Sequence, residues 1–147
     1  MRAEELMIGD LLQIEEPDLY SGNICKIQSL YRQKENEGAY FHVLFYGDKG
    51  CGGKEVFCDD LRPIPLTQEI LEKNGFKWLM TESKCVTYCL KEPNVHATKY
   101  KDNGEWFICV GAAGSIKKRF VEVSCVKYVH ELQHALKLCR IEKEIEL

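Results

Sequence analysis

The chain has 147 residues, of which 45% are hydrophobic and 29% are charged, and its formal net charge is −3. This balance excludes an intrinsically disordered chain, which would have fewer apolar residues and a larger charge imbalance. A chain of this length can bury one compact core or two very small ones.

The distribution of charge argues against nucleic acid as a partner. Residues 1–65 carry seven basic and twelve acidic side chains, a net of −5, whereas the remainder carries a net of +2. A nucleic-acid-binding protein normally presents a basic surface. A nucleic-acid accessory protein is therefore an alternative that the composition disfavours.

The sequence predicts a cytoplasmic protein without a membrane partner. No apolar run approaches the ~20 residues of a membrane-spanning helix, and Glu4 and Glu5 stand where a secretory signal would carry basic and then apolar residues. The eight cysteines lie at irregular intervals, so we interpret them as reduced and mostly buried thiols rather than as a disulfide framework.

The first part of the chain alternates β-rich runs with turn formers, and the runs are residues 11–15, 24–31, 40–46 and 54–58. Such close spacing predicts a small, strongly bent β-barrel. The order of Gly9-Asp10, then Gly22, then a long hairpin resembles SH3-like barrels of the KOW and Tudor type. Pro63 and Pro65 end this region, because proline supplies no amide hydrogen to a central strand. Two domains are therefore predicted, residues 1–65 and residues 66–147.

A short helix over residues 67–74 is predicted to connect the two domains. Thr67 can cap its first turn, because a threonine hydroxyl accepts a hydrogen bond from a helical amide. Gly75 can take the left-handed conformation that ends a helix, which places Phe76 to fold back on Leu71.

Residues 66–147 otherwise follow a β pattern and end in a helix. Strands are predicted at residues 85–90, 95–101, 105–110 and 119–123. Ser124 is placed to cap a helix over residues 125–139, whose apolar stripe is predicted to pack on the sheet. The predicted stripe comprises Val126, Val129, Leu132, Leu136 and Cys139. The whole chain is thus predicted to be α+β: an SH3-like barrel, a short helix, and an antiparallel sheet covered by a C-terminal helix.

Two longer motifs lie in the second half and at its boundary. The first is LRPIPLT followed by EILEKNGF, at residues 61–67 and 69–76, and the second is YVHELQ at residues 128–133. These motifs resemble an uncharacterised family of small proteins from gut anaerobic bacteria and their phages or mobile elements. The resemblance implies a bacterial or phage-related setting and supplies no activity or site. Arg140 departs from the family, in which glycine tends to end this helix.

The segment HELQH matches the zinc-protease motif H-E-x-x-H, in which two histidines hold the metal and the glutamate acts as general base. A catalytic zinc needs a third protein ligand, and the metzincin pattern would place glycine and histidine where this chain has Lys137 and Arg140. On the predicted helix both histidines face solvent. We therefore interpret His130, Glu131 and His134 as a coincidental match, with a zinc-dependent hydrolase as the alternative.

The cysteines offer a further metal hypothesis. Cys85 and Cys89 would share one face of a strand, but zinc-binding pairs normally lie in a tight turn with two residues between them. Cys51 and Cys58 flank another strand. We expect no metal and no other cofactor, and interpret the cysteines as small hydrophobic residues. No cysteine has a histidine beside it in the sequence, so a nucleophile and base could meet only through the fold.

Aromatic residues suggest a binding surface instead. Tyr31, Tyr40 and Tyr46, together with Trp106, could form a groove, because SH3-like barrels bind peptides through aromatic grooves. The interpretation that we favour is that these aromatic side chains fill the core, and the groove is the alternative. With no catalytic set of residues, the sequence favours a non-catalytic protein-binding or scaffold module, and it identifies neither the protein partner nor the oligomeric state.

Overall fold

The computed structural model describes residues 5–15, 23–32, 39–45, 54–92, 94–111 and 120–147. Within these ranges the protein is α+β, with two antiparallel sheets of five strands each. The chain divides into unit 1, Met1–Ile64, and unit 2, Pro65–Leu147. No helix in the described ranges is long and apolar enough to cross a membrane.

Unit 1 contains five strands: β1 Leu11–Ile14, β2 Ile24–Arg32, β3 Ala39–Phe45, β4 Lys54–Phe57 and β5 Leu61–Pro63. Their order in the sheet is β4-β3-β2-β1-β5. Pro63 lies in an edge strand, where a missing amide hydrogen is tolerated. The predicted barrel is present only as this sheet, which is not closed within the described residues.

One face of this sheet supplies the core of unit 1. Alternate residues of a strand point to the same face, and on β1 both Leu12 and Ile14 are fully buried. The buried cluster comprises Leu6, Leu12, Ile14, Cys25, Ile27, Phe41, Val43, Val56, Cys58 and Leu61. Asp10 is also fully buried, and its carboxylate accepts a 2.7 Å hydrogen bond from the Met7 amide in the turn before β1.

Unit 2 contains two helices and five strands: α1 Gln68–Lys73, β6 Lys77–Thr81, β7 Cys85–Leu90, β8 Val95–Tyr100, β9 Trp106–Gly111, β10 Phe120–Val126 and α2 Val129–Leu138. The sheet order is β10-β9-β8-β7-β6. The sequence predicted the last four strands but not β6, because its five residues do not alternate between buried and exposed positions.

Both ends of α1 follow the sequence prediction. The Thr67 hydroxyl accepts a hydrogen bond from the Ile70 amide at 3.3 Å, which satisfies one of the free amides of the first turn. Gly75 has a φ of +81°, and the Phe76 amide donates to the Leu71 carbonyl at 3.0 Å. This is the Schellman arrangement that the asparagine-glycine pair indicates.

Asn74, at the end of α1, binds the last residues of the chain. Its side-chain amide donates to the carbonyls of Ile70 and Glu146, both at 2.8 Å, and its oxygen accepts from the Glu146 amide at 2.9 Å. Ile145 is buried beside this clamp. The extended tail is therefore part of the folded core of unit 2.

The predicted C-terminal helix at residues 125–139 begins too early. Cys125 and Val126 instead pair with Phe107 and Trp106 as the end of β10. The helix cap is Tyr128 rather than Ser124, and α2 begins at Val129. Pairing with β9 keeps these residues extended, and this tertiary contact overrides the local capping signal that the sequence carries.

The sheet of unit 2 has an inner face that packs around Trp106. This side chain is almost fully buried, and its indole Nε1 donates to the Leu66 carbonyl at 3.0 Å. The Tyr88 ring meets it edge-on at a centroid distance of 6.0 Å. Trp106 is therefore a core residue, as the favoured interpretation of the aromatic residues expected, and it does not line the alternative groove.

The end of α2 repeats the end of α1 with a different residue. The Ile141 amide donates to the Leu136 carbonyl at 2.9 Å, and the residue between helix and tail is Arg140, with a φ of +58°. A side chain with a Cβ atom is strained in this left-handed region, whereas glycine is not. Arg140 is thus a strained position at the end of α2.

We expect exchanges at the two helix ends to change stability in opposite directions. Gly75→Val should lower the free energy of unfolding by about 1–2 kcal/mol, because a β-branched residue is strained at positive φ. Arg140→Gly should raise it by up to about 1 kcal/mol, since the strain is removed and only part is offset by glycine's freedom in the unfolded chain. Urea denaturation of both variants measures the two changes, and the same sign for both would contradict this assignment of the helix ends.

Candidate functional site

The two histidines of the HELQH segment lie on α2. His130 is buried, with 4% of its surface exposed, and His134 is half-buried. The His130 ring stacks on the Tyr128 ring at a centroid distance of 5.9 Å and meets the His134 ring edge-on at 5.8 Å. The prediction that both histidines face solvent was wrong. The buried positions of α2 span about 220° of its circumference at 100° per residue, which is wider than the predicted stripe.

Glu131, the third member of the motif, caps the start of α2. One of its carboxylate oxygens accepts hydrogen bonds from the amides of Lys127, at 2.6 Å, and Tyr128, at 3.1 Å. An acidic group is stabilised at this position by the free amides and by the positive end of the helix dipole. The local role of Glu131 is therefore to begin the helix.

The residues around the motif do not complete a metal site. Within the described ranges, no group of three His, Cys, Asp or Glu side chains lies close enough to hold a metal ion. Two imidazoles one helical turn apart offer only a weak site for divalent cations.

The tyrosines predicted to form a groove lie in unit 1. Tyr31 and Tyr40 occupy opposed positions on β2 and β3, so the backbone places both residues on one face of the sheet. Tyr46 lies outside the described residues. The structure thus brings two of the three positions together, and the groove stays a prediction.

The cysteines of unit 1 behave as hydrophobic residues. Cys25 and Cys58 are buried, and burial raises the pKa of Cys25 to about 12. A thiol with such a pKa keeps its proton at neutral pH. Cys51, the predicted neighbour of Cys58 across a strand, lies outside the described residues. The seven cysteines that the structure describes are all free thiols.

A cysteine and a histidine meet on the outer face of the unit 2 sheet. Cys89 lies opposite His96 on the neighbouring strand, and its Sγ atom is 3.5 Å from the His96 Nε2 atom. The same Nε2 atom is 3.2 Å from Oδ1 of Asn94, the turn residue immediately before β8. We call Cys89, His96 and Asn94 the hairpin triad. All three side chains are half-buried.

The hairpin turn in the sequence indicates the pairing of Cys89 with His96, which the spacing of the cysteines does not reveal. A hairpin that turns over residues 91–94 pairs Leu90 with Val95, and the next pair outward is then Cys89 with His96. Asn94 has a φ of +64°, a conformation that asparagine adopts more readily than most residues. The pair is thus set by the turn and not by distance along the chain.

The second notable surface of unit 2 is the edge strand β6. Trp78, Leu79 and Met80 are consecutive apolar residues, and 60%, 41% and 44% of their surfaces are exposed. A bulge between Trp78 and Met80 interrupts the pairing of this strand with β7. Edge strands present backbone amides and carbonyls that can pair with another chain. We call Lys77–Thr81 the β6 edge.

No family model, curated protein or solved structure matches the chain. The resemblance to the gut-bacterial family therefore stays a prediction that rests on the two sequence motifs.

We expect His130→Ala to destabilise the protein more than His134→Ala. The first substitution removes a buried ring and its stacking on Tyr128, which should cost about 1–3 kcal/mol, whereas the second removes a half-buried ring and should cost less. Thermal unfolding of the two variants without metal measures the difference. Zinc content after purification without an affinity tag is the second measurement. One tightly held zinc per chain, lost in both variants, would favour the hydrolase alternative.

Proposed function

We propose that the chain is a non-catalytic protein-binding or scaffold module that binds an extended segment of another protein at the β6 edge. The observation that carries the proposal is the exposed run of Trp78, Leu79 and Met80 on an edge strand. Exposed apolar residues in a continuous patch indicate an interaction surface. Addition of a strand to a sheet edge is a common way for folded proteins to bind peptides.

The charges at the two ends of the β6 edge describe the partner. Lys77 is the first residue of the strand and Glu82 follows its last, and both side chains are exposed. An added antiparallel strand would place one of its residues opposite each of them, where opposite charges attract and like charges repel. The expected partner is a short segment with an apolar centre, an acidic residue facing Lys77 and a basic residue facing Glu82.

The bulge in β6 supports a short segment rather than the edge of another sheet. A bulge increases the local twist of an edge strand, and proteins use such bulges to prevent pairing between two complete sheets. A flexible segment can follow this twist. Two copies of the bulged edge could pair only if their twisted backbones were complementary to each other. A second copy of the chain is therefore the less favoured occupant.

The contacts of Glu131 support the non-catalytic part of the proposal. Its carboxylate already accepts two backbone hydrogen bonds at the start of α2, whereas a general base must be directed at the water or substrate from which it takes a proton.

For unit 1 we propose closure into an SH3-like barrel. The order β4-β3-β2-β1-β5 leaves β4 and β5 at the two edges of the sheet. Only the three residues Cys58–Asp60 separate these strands in sequence, so closure would join two edges whose ends already lie near each other. Tyr31, Tyr40 and Tyr46 would then provide a second peptide-binding surface. The cytoplasmic and phage-related setting stays a prediction from the sequence.

The β6 edge can be tested with a displayed library of twelve-residue peptides selected on the immobilised full chain. We expect enriched peptides with an apolar centre and the stated charges, and their complexes should protect the backbone amides of Lys77–Thr81 from hydrogen exchange. Leu79→Lys should weaken binding of these peptides by about tenfold or more, because it places a charge in the centre of the apolar contact.

Val121→Lys is the matched control, because Val121 is an exposed apolar residue on β10, the opposite edge of the same sheet, and is even more exposed than Leu79. It should leave peptide binding unchanged. Selected peptides that tolerate Leu79→Lys, or that protect amides elsewhere, would overturn the proposal. Sedimentation of the free chain over a range of concentrations identifies the other occupant: a dimer that Leu79→Lys dissociates would show that the β6 edge receives a second copy.

A further inference from the structure

We propose that Cys89 is a nucleophilic thiol, activated by His96, that is modified by hydroperoxides and other soft electrophiles. The Sγ atom and the His96 Nε2 atom are 3.5 Å apart on adjacent strands, within the range that a sulfur hydrogen bond spans. A nucleophile within reach of a base, with the base held by a third group, is the arrangement that activates cysteine in proteins. In the hairpin triad, Asn94 contacts the same His96 nitrogen as the sulfur and so acts on the proton that this nitrogen carries.

The contact with Asn94 determines where the proton lies. An amide oxygen only accepts hydrogen bonds, so an Oδ1 atom 3.2 Å from Nε2 favours a proton on that nitrogen. The proton then lies between two acceptors, the Asn94 oxygen and the Cys89 sulfur. A thiolate accepts this hydrogen bond more strongly than a thiol does, because charge-assisted hydrogen bonds are the stronger kind. A proton on Nε2 fits both a neutral imidazole with an unprotonated Nδ1 and an imidazolium. We assign the imidazolium with the thiolate, because only this pair has a charge-assisted hydrogen bond at the sulfur.

The backbone of Asn94 keeps the triad in place. Its carbonyl accepts a 3.0 Å hydrogen bond from the Gly111 amide of β9, which fixes the hairpin turn to the next strand. A hairpin that is fixed at its turn holds its cross-strand pairs in constant register. The contact between Cys89 and His96 is therefore a property of the sheet rather than of a free loop.

Neighbouring charges on the same face also act on Cys89. Lys77 of β6 lies opposite Cys89 in the register, so a cationic residue occupies the same row of the sheet, on the side of Cys89 away from His96. Beyond His96 the row continues with Cys109 on β9 and Glu122 on β10. The pKa of Cys109 is raised mainly by burial and secondarily by the negative charge of Glu122. Lys77 and protonated His96 both favour the thiolate of Cys89, while Glu122 is the most distant of these charges.

The proposed reaction with a hydroperoxide is balanced by the triad itself. The Cys89 thiolate attacks one peroxide oxygen, so that a sulfur–oxygen bond forms and the oxygen–oxygen bond breaks. The sulfur is oxidised to a sulfenic acid, and the peroxide is reduced. The leaving oxygen takes the proton from His96 Nε2 and departs as water or an alcohol, which leaves the imidazole neutral.

The product should remain a sulfenic acid on the isolated protein. Cys109 shares the face but lies two strands away, at about 9.5 Å between Cα atoms from the spacing of strands in a sheet. A disulfide requires Cα atoms within about 7 Å. Cys109 therefore cannot resolve the sulfenic acid, and a small soluble thiol is needed to do so.

Alkylation of the full chain by iodoacetamide tests the activation of Cys89. Mass spectrometry of peptides follows each cysteine between about pH 6 and pH 9. An ordinary thiol is only about 3% thiolate at pH 7, so an activated Cys89 should react about tenfold faster than an unactivated thiol and show a midpoint near or below pH 7. Cys125 is the internal control: it is exposed, but desolvation of its sulfur and the hydrogen bond that it donates to Glu105 raise its pKa to about 11.

Two variants separate activation from accessibility. His96→Gln should move the Cys89 midpoint towards the ordinary thiol value of about 8.5 and slow alkylation at pH 7. Asn94→Gly keeps the left-handed backbone and removes the Oδ1 atom, so it should move the midpoint part of the way in the same direction. A midpoint that stays the same in both folded variants, or that already equals about 8.5 in the parent chain, would overturn the proposal.

Hydrogen peroxide followed by the sulfenic acid reagent dimedone tests the reaction itself. We expect one dimedone adduct, on Cys89, that persists in Cys109→Ser and decreases strongly in His96→Gln. No adduct on Cys89, or a disulfide between Cys89 and Cys109, would contradict the proposed chemistry. A negative result here leaves peptide binding at the β6 edge unaffected, because that test depends on Leu79 and not on the triad.

Discussion

The register between β7, β8 and β9 is the constraint on which unit 2 depends. Residues in opposed positions share a face, and the faces alternate along each strand. One row of opposed residues lies on the inner face, and it comprises Tyr88, Ala97 and Ile108. The next row lies on the outer face, and it comprises Cys89, His96 and Cys109. A shift of one residue would carry the thiol and imidazole into the core and expose the apolar row, so the packing of the inner face also fixes the outer one.

Features that depend on neighbours in sequence could be predicted, and features that depend on distant contacts could not. The Thr67 cap and the left-handed Gly75 are local hydrogen-bond and steric effects, and both are confirmed. Ser124 carried an equally good local signal for a cap, but pairing of β10 with β9 kept it in a strand. The burial of His130 was missed for a different reason: the stripe counted only apolar residues, whereas the buried arc of α2 also includes the polar residues His130 and Gln133.

The candidate sites show the same division in their chemistry. The HELQH segment is a motif that sequence alone can find, yet the fold uses Glu131 to cap a helix. The contact between Cys89 and His96 matches no motif, because it arises across a hairpin whose register the turn determines. The β6 edge was also missed, since exposure on both faces of a strand leaves no alternation to detect. In this chain the informative chemistry lies where the backbone, not the sequence spacing, brings residues together.

The clamp that Asn74 forms on Glu146 has a consequence for the order of folding. The two residues are separated by 72 positions, so their hydrogen bonds close almost the whole of unit 2 into a loop. Closing a long loop costs chain entropy that local contacts do not, and such contacts slow folding. The tail is therefore expected to dock after the hairpins have formed, and local opening of unit 2 would begin with its release. During synthesis, this contact can form only after residue 146 has left the ribosome, well after the hairpins of unit 2 have emerged.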